Sequence, residues 1–177
     1  MYRVETIAVA AHKGGAGKTT VAVNLAAAMA AQGRRVLLVD LDPQGAAAAA
    51  LGVTVSKPTV YEALMGGADP RQAILGTSVD GLAMFAADLD LAGAEVELPR
   101  MGAWQGSLTR LLAPLEGLCD VAILDTPPGL GVLSLCALVA ARSAVAVCPP
   151  DFLAYRTLPH LLETLERAGA RVLGIVP

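Results

Sequence analysis

The residues best placed to do chemistry form one short run, His12-Lys13-Gly14-Gly15-Ala16-Gly17-Lys18-Thr19-Thr20. Glycines let successive backbone N–H groups point into one concavity with no side chain in the way, and such a concavity binds anions. A helix starting just after the glycines adds its positive end to that attraction. Lys18 would then reach the β- and γ-phosphates of a nucleotide, and the Thr19 hydroxyl would bind Mg²⁺. The strict spelling G-x-x-x-x-G-K-[ST] is not met, because His12 stands where its first glycine belongs. A polyphosphate with its metal also needs carboxylates on rigid elements nearby, at the carboxyl ends of parallel strands. Two apolar runs end in aspartate, Val36-Leu37-Leu38-Val39-Asp40 and Val121-Ala122-Ile123-Leu124-Asp125.

These groups have to be positioned by the elements around them. Residues 4–10 read as a buried strand feeding the glycine loop, and residues from Lys18 to a stop at Gly33 read as a helix with apolar Val21, Leu25, Ala28 and Met29. Residues 36–40 form a second strand, and strand, helix and strand make a βαβ unit that favours a parallel sheet. The middle of the chain is less legible: helices are expected at 59–65 and 104–115, a strand at 82–86, and turns at Gly66-Gly67 and Asp69-Pro70. The run Ala46 to Ala50 is a good helix former. Regularity returns with strands at 121–125, 144–148 and 172–176, alternating with helices at 131–141 and 153–168. The expected fold is α/β, a doubly wound, mostly parallel sheet flanked by helices, in a single domain over residues 1–177.

The segment Lys-Gly-Gly-x-Gly-Lys-Thr-Thr resembles the deviant Walker A motif of the ParA/MinD class of phosphate-loop ATPases. Within that class, Asp42-Pro43-Gln44-Gly45 and Asp125-Thr126-Pro127-Pro128 look more like the ParA/Soj partition branch than the MinD branch. The resemblance implies a nucleotide site made by Lys13, Gly14, Gly15, Ala16, Gly17, Lys18, Thr19, Thr20 and Gly129. It makes Lys13, Lys18 and Asp42 the catalytic group. Lys13 would reach the phosphates of a partner subunit, and Asp42 would orient or deprotonate the attacking water. Thr19, Asp40 and Asp125 would serve the metal, with Asp125 holding a Mg²⁺-bound water and the Gly129 N–H sensing the γ-phosphate. Alternation places Asp40 and Asp42 on one side of an extended chain, so the residues themselves do not rank the two acids.

The implied cofactors are ATP and Mg²⁺, and the implied job is an ATP-dependent dimerising switch that positions or partitions DNA. Its implied partners are a second copy, a ParB-like activator and non-specific DNA, with no membrane. The chain ends at Gly174-Ile175-Val176-Pro177, where relatives continue with further strands and helices, so a C-terminal part usual in the family is expected to be missing. The stretch Asp151-Phe152-Leu153-Ala154-Tyr155-Arg156 also departs from the family's usual Glu-Tyr-Tyr-Ala-Leu-Glu, which leaves partner contacts there in doubt. Two other functions use the same loop: a nucleotide-binding module that positions a protein cargo without DNA, and a small-molecule ligase of the dethiobiotin-synthetase kind. An electron-transfer relative such as nitrogenase iron protein is set aside, because Cys119, Cys136 and Cys148 do not match its cluster placement. No guanine-reading N/T-K-x-D motif exists, since Lys57 is followed by Pro58-Thr59.

Composition narrows the classes further. The 177 residues are 55% hydrophobic and 16% charged, too apolar for disorder. The longest uncharged stretch, 126–141, is shorter than the ~20 residues a spanning helix needs. Met1-Tyr2-Arg3-Val4-Glu5 lacks the pattern of a secretion leader, so a cytoplasmic location is expected, at the nucleoid if DNA is bound. The three cysteines show neither zinc spacing nor a disulfide framework and read as reduced thiols. A formal net charge of -3 steers no nucleic acid toward the whole molecule, so DNA binding rests on the resemblance alone. Arg142, Arg156, Arg167 and Arg171 read as solvated helix and strand ends, and His12 and His160 as ordinary packing or exposed groups.

Overall fold

The computed structural model describes residues 4–177, so Met1, Tyr2 and Arg3, on which the reading of the amino terminus partly rests, lie outside the described residues. In chain order the elements are β1 (Glu5–Ala10), α1 (Lys18–Ala31), β2 (Val36–Asp40), α2 (Ala46–Ala50), α3 (Val60–Leu64), β3 (Ile74–Gly76) and β4 (Leu82–Phe85). They continue with α4 (Ala94–Glu97), α5 (Ser107–Leu112), β5 (Val121–Asp125), α6 (Val132–Ala140), β6 (Ser143–Val147), α7 (Phe152–Arg167) and β7 (Arg171–Val176). The strands form one sheet in the order β3-β4-β2-β5-β1-β6-β7. Every neighbouring pair is parallel except β3 and β4.

Both faces are covered over β1, β2, β5 and β6, as buried parallel strands require, whereas the edge strand β7 is largely exposed. Alternation sends Ile7 and Val9 toward α1 and α2 on one face, and Ala8 and Ala10 toward α3 to α7 on the other. β2 and β5 at the centre are buried over their whole length. Their register pairs Asp40 directly with Asp125, and Val9 of β1 pairs with Asp125 from the other side. The two carboxylates and the start of the glycine loop are therefore brought together by the ladder itself.

Three local expectations change. The buried stripe of α1 is Ala22, Ala26 and Ala30, while Val21, Leu25 and Met29 are half-buried and Ala28 is exposed. Alanines every fourth residue let the helix lie close to the sheet, with the larger side chains at the flanks. The stretch 104–115 is three pieces, a 3-10 turn at Trp104–Gly106, then α5, then a second 3-10 turn at Ala113–Leu115 carrying Pro114. Between β4 and α5, residues 89–100 form α4 between two further 3-10 turns, and the three-residue β3 adds an antiparallel edge; neither was anticipated. Cys136 is buried, Cys119 and Cys148 are half-buried, and all three are free thiols. Among the described residues no helix is long and apolar enough to cross a membrane.

Candidate functional site

The loop from β1 to α1 turns on two glycines in the left-handed region, Gly15 (φ 71°) and Gly17 (φ 90°), where side chains are strained. α1 begins with Val21 N–H donating to the Gly17 carbonyl. A β-carbon at Gly14 would sit 3.7 Å from that of Pro128, so the glycine loop abuts the turn after β5. Thr126 ties the start of that turn to β1, its hydroxyl donating to the Val9 carbonyl at 2.8 Å. Gly129 sits at φ 82° within it.

Lys18 is buried at the mouth of this loop, and burial pulls its ammonium below the ordinary lysine value while Asp125 and Asp42 hold it up. Asp125 is fully buried, and neither carboxylate oxygen has a hydrogen-bond partner. Burial pushes its carboxyl up to about 6, against the Thr19 hydroxyl and the Lys18 charge. A buried, unpartnered carboxylate is costly unless something else satisfies it, and a divalent cation or its water does so. Among the described residues no three His, Cys, Asp or Glu side chains converge on one point. A cation here would therefore take most of its ligands from phosphate oxygens and water, the arrangement Mg²⁺ favours. Thr19 and Asp125 fit such an ion.

Asp40 is equally buried but differently used. One oxygen accepts from Asp42 N–H (3.0 Å), the other from Ala47 N–H (3.2 Å), so its carboxylate fastens the loop after β2 to the start of α2. Burial pushes it up to about 7 in spite of these donors. Asp42 is half-buried and accepts from Gln44 N–H at 3.0 Å, an Asx turn that fixes its side chain. The two acids that alternation left unranked thus differ in the fold: Asp40 is consumed by backbone, and Asp42 stands closer to solvent.

Lys13 is half-exposed, with Nζ 3.3 Å from one oxygen of Asp151. The other oxygen caps α7 by accepting from Ala154 N–H at 2.9 Å, and these donors hold the Asp151 carboxyl below its usual value, the amide first and Lys13 after it. Asp151 was missed as a partner of Lys13. So was the edge-to-face contact of His12 with His160, whose ring centroids are 5.9 Å apart, because both contacts join residues far apart in the chain. Ser134 and Glu95 were also missed. Ser134 donates to the Gly129 carbonyl at 2.9 Å, and Glu95 accepts from Val132 and Leu133 N–H. A cavity of about 690 Å³ lies away from all these groups, at the amino ends of the strands beside Glu5, Arg35 and Asp120.

The AAA domain family matches residues 4–173. The chromosome-partitioning ATPase Soj of Thermus thermophilus is 44% identical over 98% of this chain and 69% of its own length. The chromosome partitioning protein ParA of Caulobacter vibrioides is 39% identical over 93% of this chain and 63% of its own. A cobyrinic acid a,c-diamide synthase from Mycobacterium smegmatis, solved with an ATP analogue and magnesium, superposes with TM-score 0.92 at 40% identity, over 99% of this chain and 75% of that one. The chain spans about two thirds of the length of these curated relatives, 63% and 69%. With the match to nearly its whole length and these identities, the chain belongs to the AAA domain family that includes the ParA and Soj partitioning ATPases.

Proposed function

We propose that this chain acts as a Mg²⁺-dependent ATPase switch that dimerises with ATP and positions DNA. The observation that carries the reading is the buried, unpartnered carboxylate of Asp125 beside Lys18 and Thr19, at the opening of a loop built to bind phosphate. Mg²⁺ at Thr19 and Asp125 would draw negative charge off the β- and γ-phosphates. The backbone N–H groups of residues 14 to 20 would cradle the phosphates, and Lys18 would neutralise them. Asp42 would accept a hydrogen bond from the attacking water and aim it, with Asp40 keeping Asp42's loop in place. Lys13 would leave Asp151 and reach the phosphates bound by a second copy, which ties hydrolysis to assembly. An exposed ion pair of this kind offers little resistance to that exchange. A ParB-like activator and non-specific DNA are the partners this reading carries, and a cytoplasmic, nucleoid-associated location goes with them. The likeness to the Mycobacterium synthase supports a second reading, ATP-driven ligation of a small substrate.

Light-scattering mass of Asp42→Ala with Mg²⁺-ADP and with Mg²⁺-ATP tests the first reading. A dimer with ATP alone is expected. A monomer in both, with nucleotide bound, would remove the dimerising switch and favour the second reading.

A further inference from the structure

α6 starts seven residues after Asp125, and its N-cap position is Gly131, which has no side chain to satisfy the first N–H groups of the helix. A carboxylate from elsewhere takes that place. Glu95, on α4, accepts from Val132 N–H at 2.9 Å with one oxygen and from Leu133 N–H at 3.2 Å with the other. The fit is close: a β-carbon at Gly131 would stand 2.9 Å from a Glu95 oxygen, so the carboxylate would have to shift to admit one. α4 is held in position by the buried Ala94 and Leu98, which share a core with Leu133 and Ala137 of α6.

The first turn of α6 in turn holds the segment that faces the phosphate loop. Ser134 Oγ lies 2.9 Å from the Gly129 carbonyl and 3.4 Å from that of Pro127, within reach of either as donor. Pro128 lies against Gly14. One chain of contacts therefore runs from Glu95 through the α6 N–H groups and Ser134 to Gly129.

We propose that Glu95 is a positioning residue that sets the Gly129 N–H for contact with a γ-phosphate, by pinning the start of α6. The inference rests on the function proposed above and deepens it. It separates two parts of the site: the glycine loop, which grips α- and β-phosphates without help from α4, and the 127–131 turn, whose placement depends on Glu95. Loss of Glu95 should therefore be felt by a triphosphate and not by a diphosphate.

The test is calorimetric binding of Mg²⁺-ADP and the slowly hydrolysed Mg²⁺-ATPγS to the unaltered chain and to Glu95→Ala, Glu95→Gln and Gly131→Ala, with thermal unfolding of each. Glu95→Ala is expected to bind ATPγS about five- to tenfold more weakly, the usual scale of a lost cap, with ADP affinity changed less than twofold. Glu95→Gln, which keeps one acceptor, should recover much of the loss. Gly131→Ala, which makes the carboxylate shift without removing it, should reproduce part of the loss, and it carries the measurement if Glu95→Ala does not fold. An unchanged ratio of the two affinities, or an equal fall in both, would overturn the positioning role. If the unaltered chain bound neither nucleotide, the phosphate-site reading would fall and this inference with it.

Discussion

The ends of β2 and β5 present the same residue at the same height of the sheet, both fully buried and directly paired in register, yet the two are built oppositely. Asp40 has a backbone N–H on each oxygen, whereas Asp125 has none and only the Thr19 hydroxyl and the Lys18 charge nearby. Burial raises both, to about 7 and about 6. A buried acid whose donors come from its own loop serves the fold. One that accepts no backbone N–H, beside a lysine and a threonine, is the acid that the proposed function assigns to a cation. Position on the sheet does not assign the role; the following residues do, because the chain after Asp40 curls back to offer Asp42 and Ala47 N–H, while the chain after Asp125 leaves through Thr126-Pro127-Pro128 and turns to β1 instead.

The widest effect should be on stability against pH. Both carboxyls have folded values above the unfolded value near 4, so the folded state holds their protons more tightly. Their contribution is fully present below about pH 4 and is lost as pH rises through about 6 and about 7. Chemical denaturation should therefore show stability falling by several kcal/mol between pH 4 and 7, and a flat profile there would mean that neither acid is buried as described. Next in size is Asp40→Ala, which strands the Asp42 and Ala47 N–H groups and should cost about 3 kcal/mol, seen as a lower unfolding midpoint. Smallest is Asp125→Asn, which removes a buried charge that has no geometric hydrogen-bond partner and is offset only by the neighbouring Lys18 and Thr19. At pH 8 it should leave stability unchanged or raise it by about 1 kcal/mol, while Mg²⁺-dependent nucleotide affinity falls. A loss as large as that of Asp40→Ala would erase the distinction between the two strand ends.

The same contrast explains what could be read from the residues alone. The glycine loop, β1, β2 and β5 were legible because a buried parallel strand is an unbroken apolar run and the loop follows it immediately. Asp40 and Asp125 were legible as strand-end acids, but not their difference, which lies in which backbone N–H groups turn toward them. Glu95 and Ser134 gave no signal: one stands 37 positions before its partner, amid the 3-10 turns that obscured residues 89–100, and the other looks like any serine in a helix. The core face of α1 was displaced by one residue because hydrophobic size points to Val21 and Leu25, whereas close approach selects Ala22 and Ala26.

That alanine face has a further consequence. Ala22, Ala26 and Ala30 have no rotamers to lose, so clamping α1 on the sheet carries no side-chain entropy penalty at those three positions. Both anchors of the glycine loop, β1 and α1, are thus held by packing on the sheet at either side of it. On the function proposed above, a phosphate would meet a loop already fixed at both ends, which lowers the ordering cost of binding.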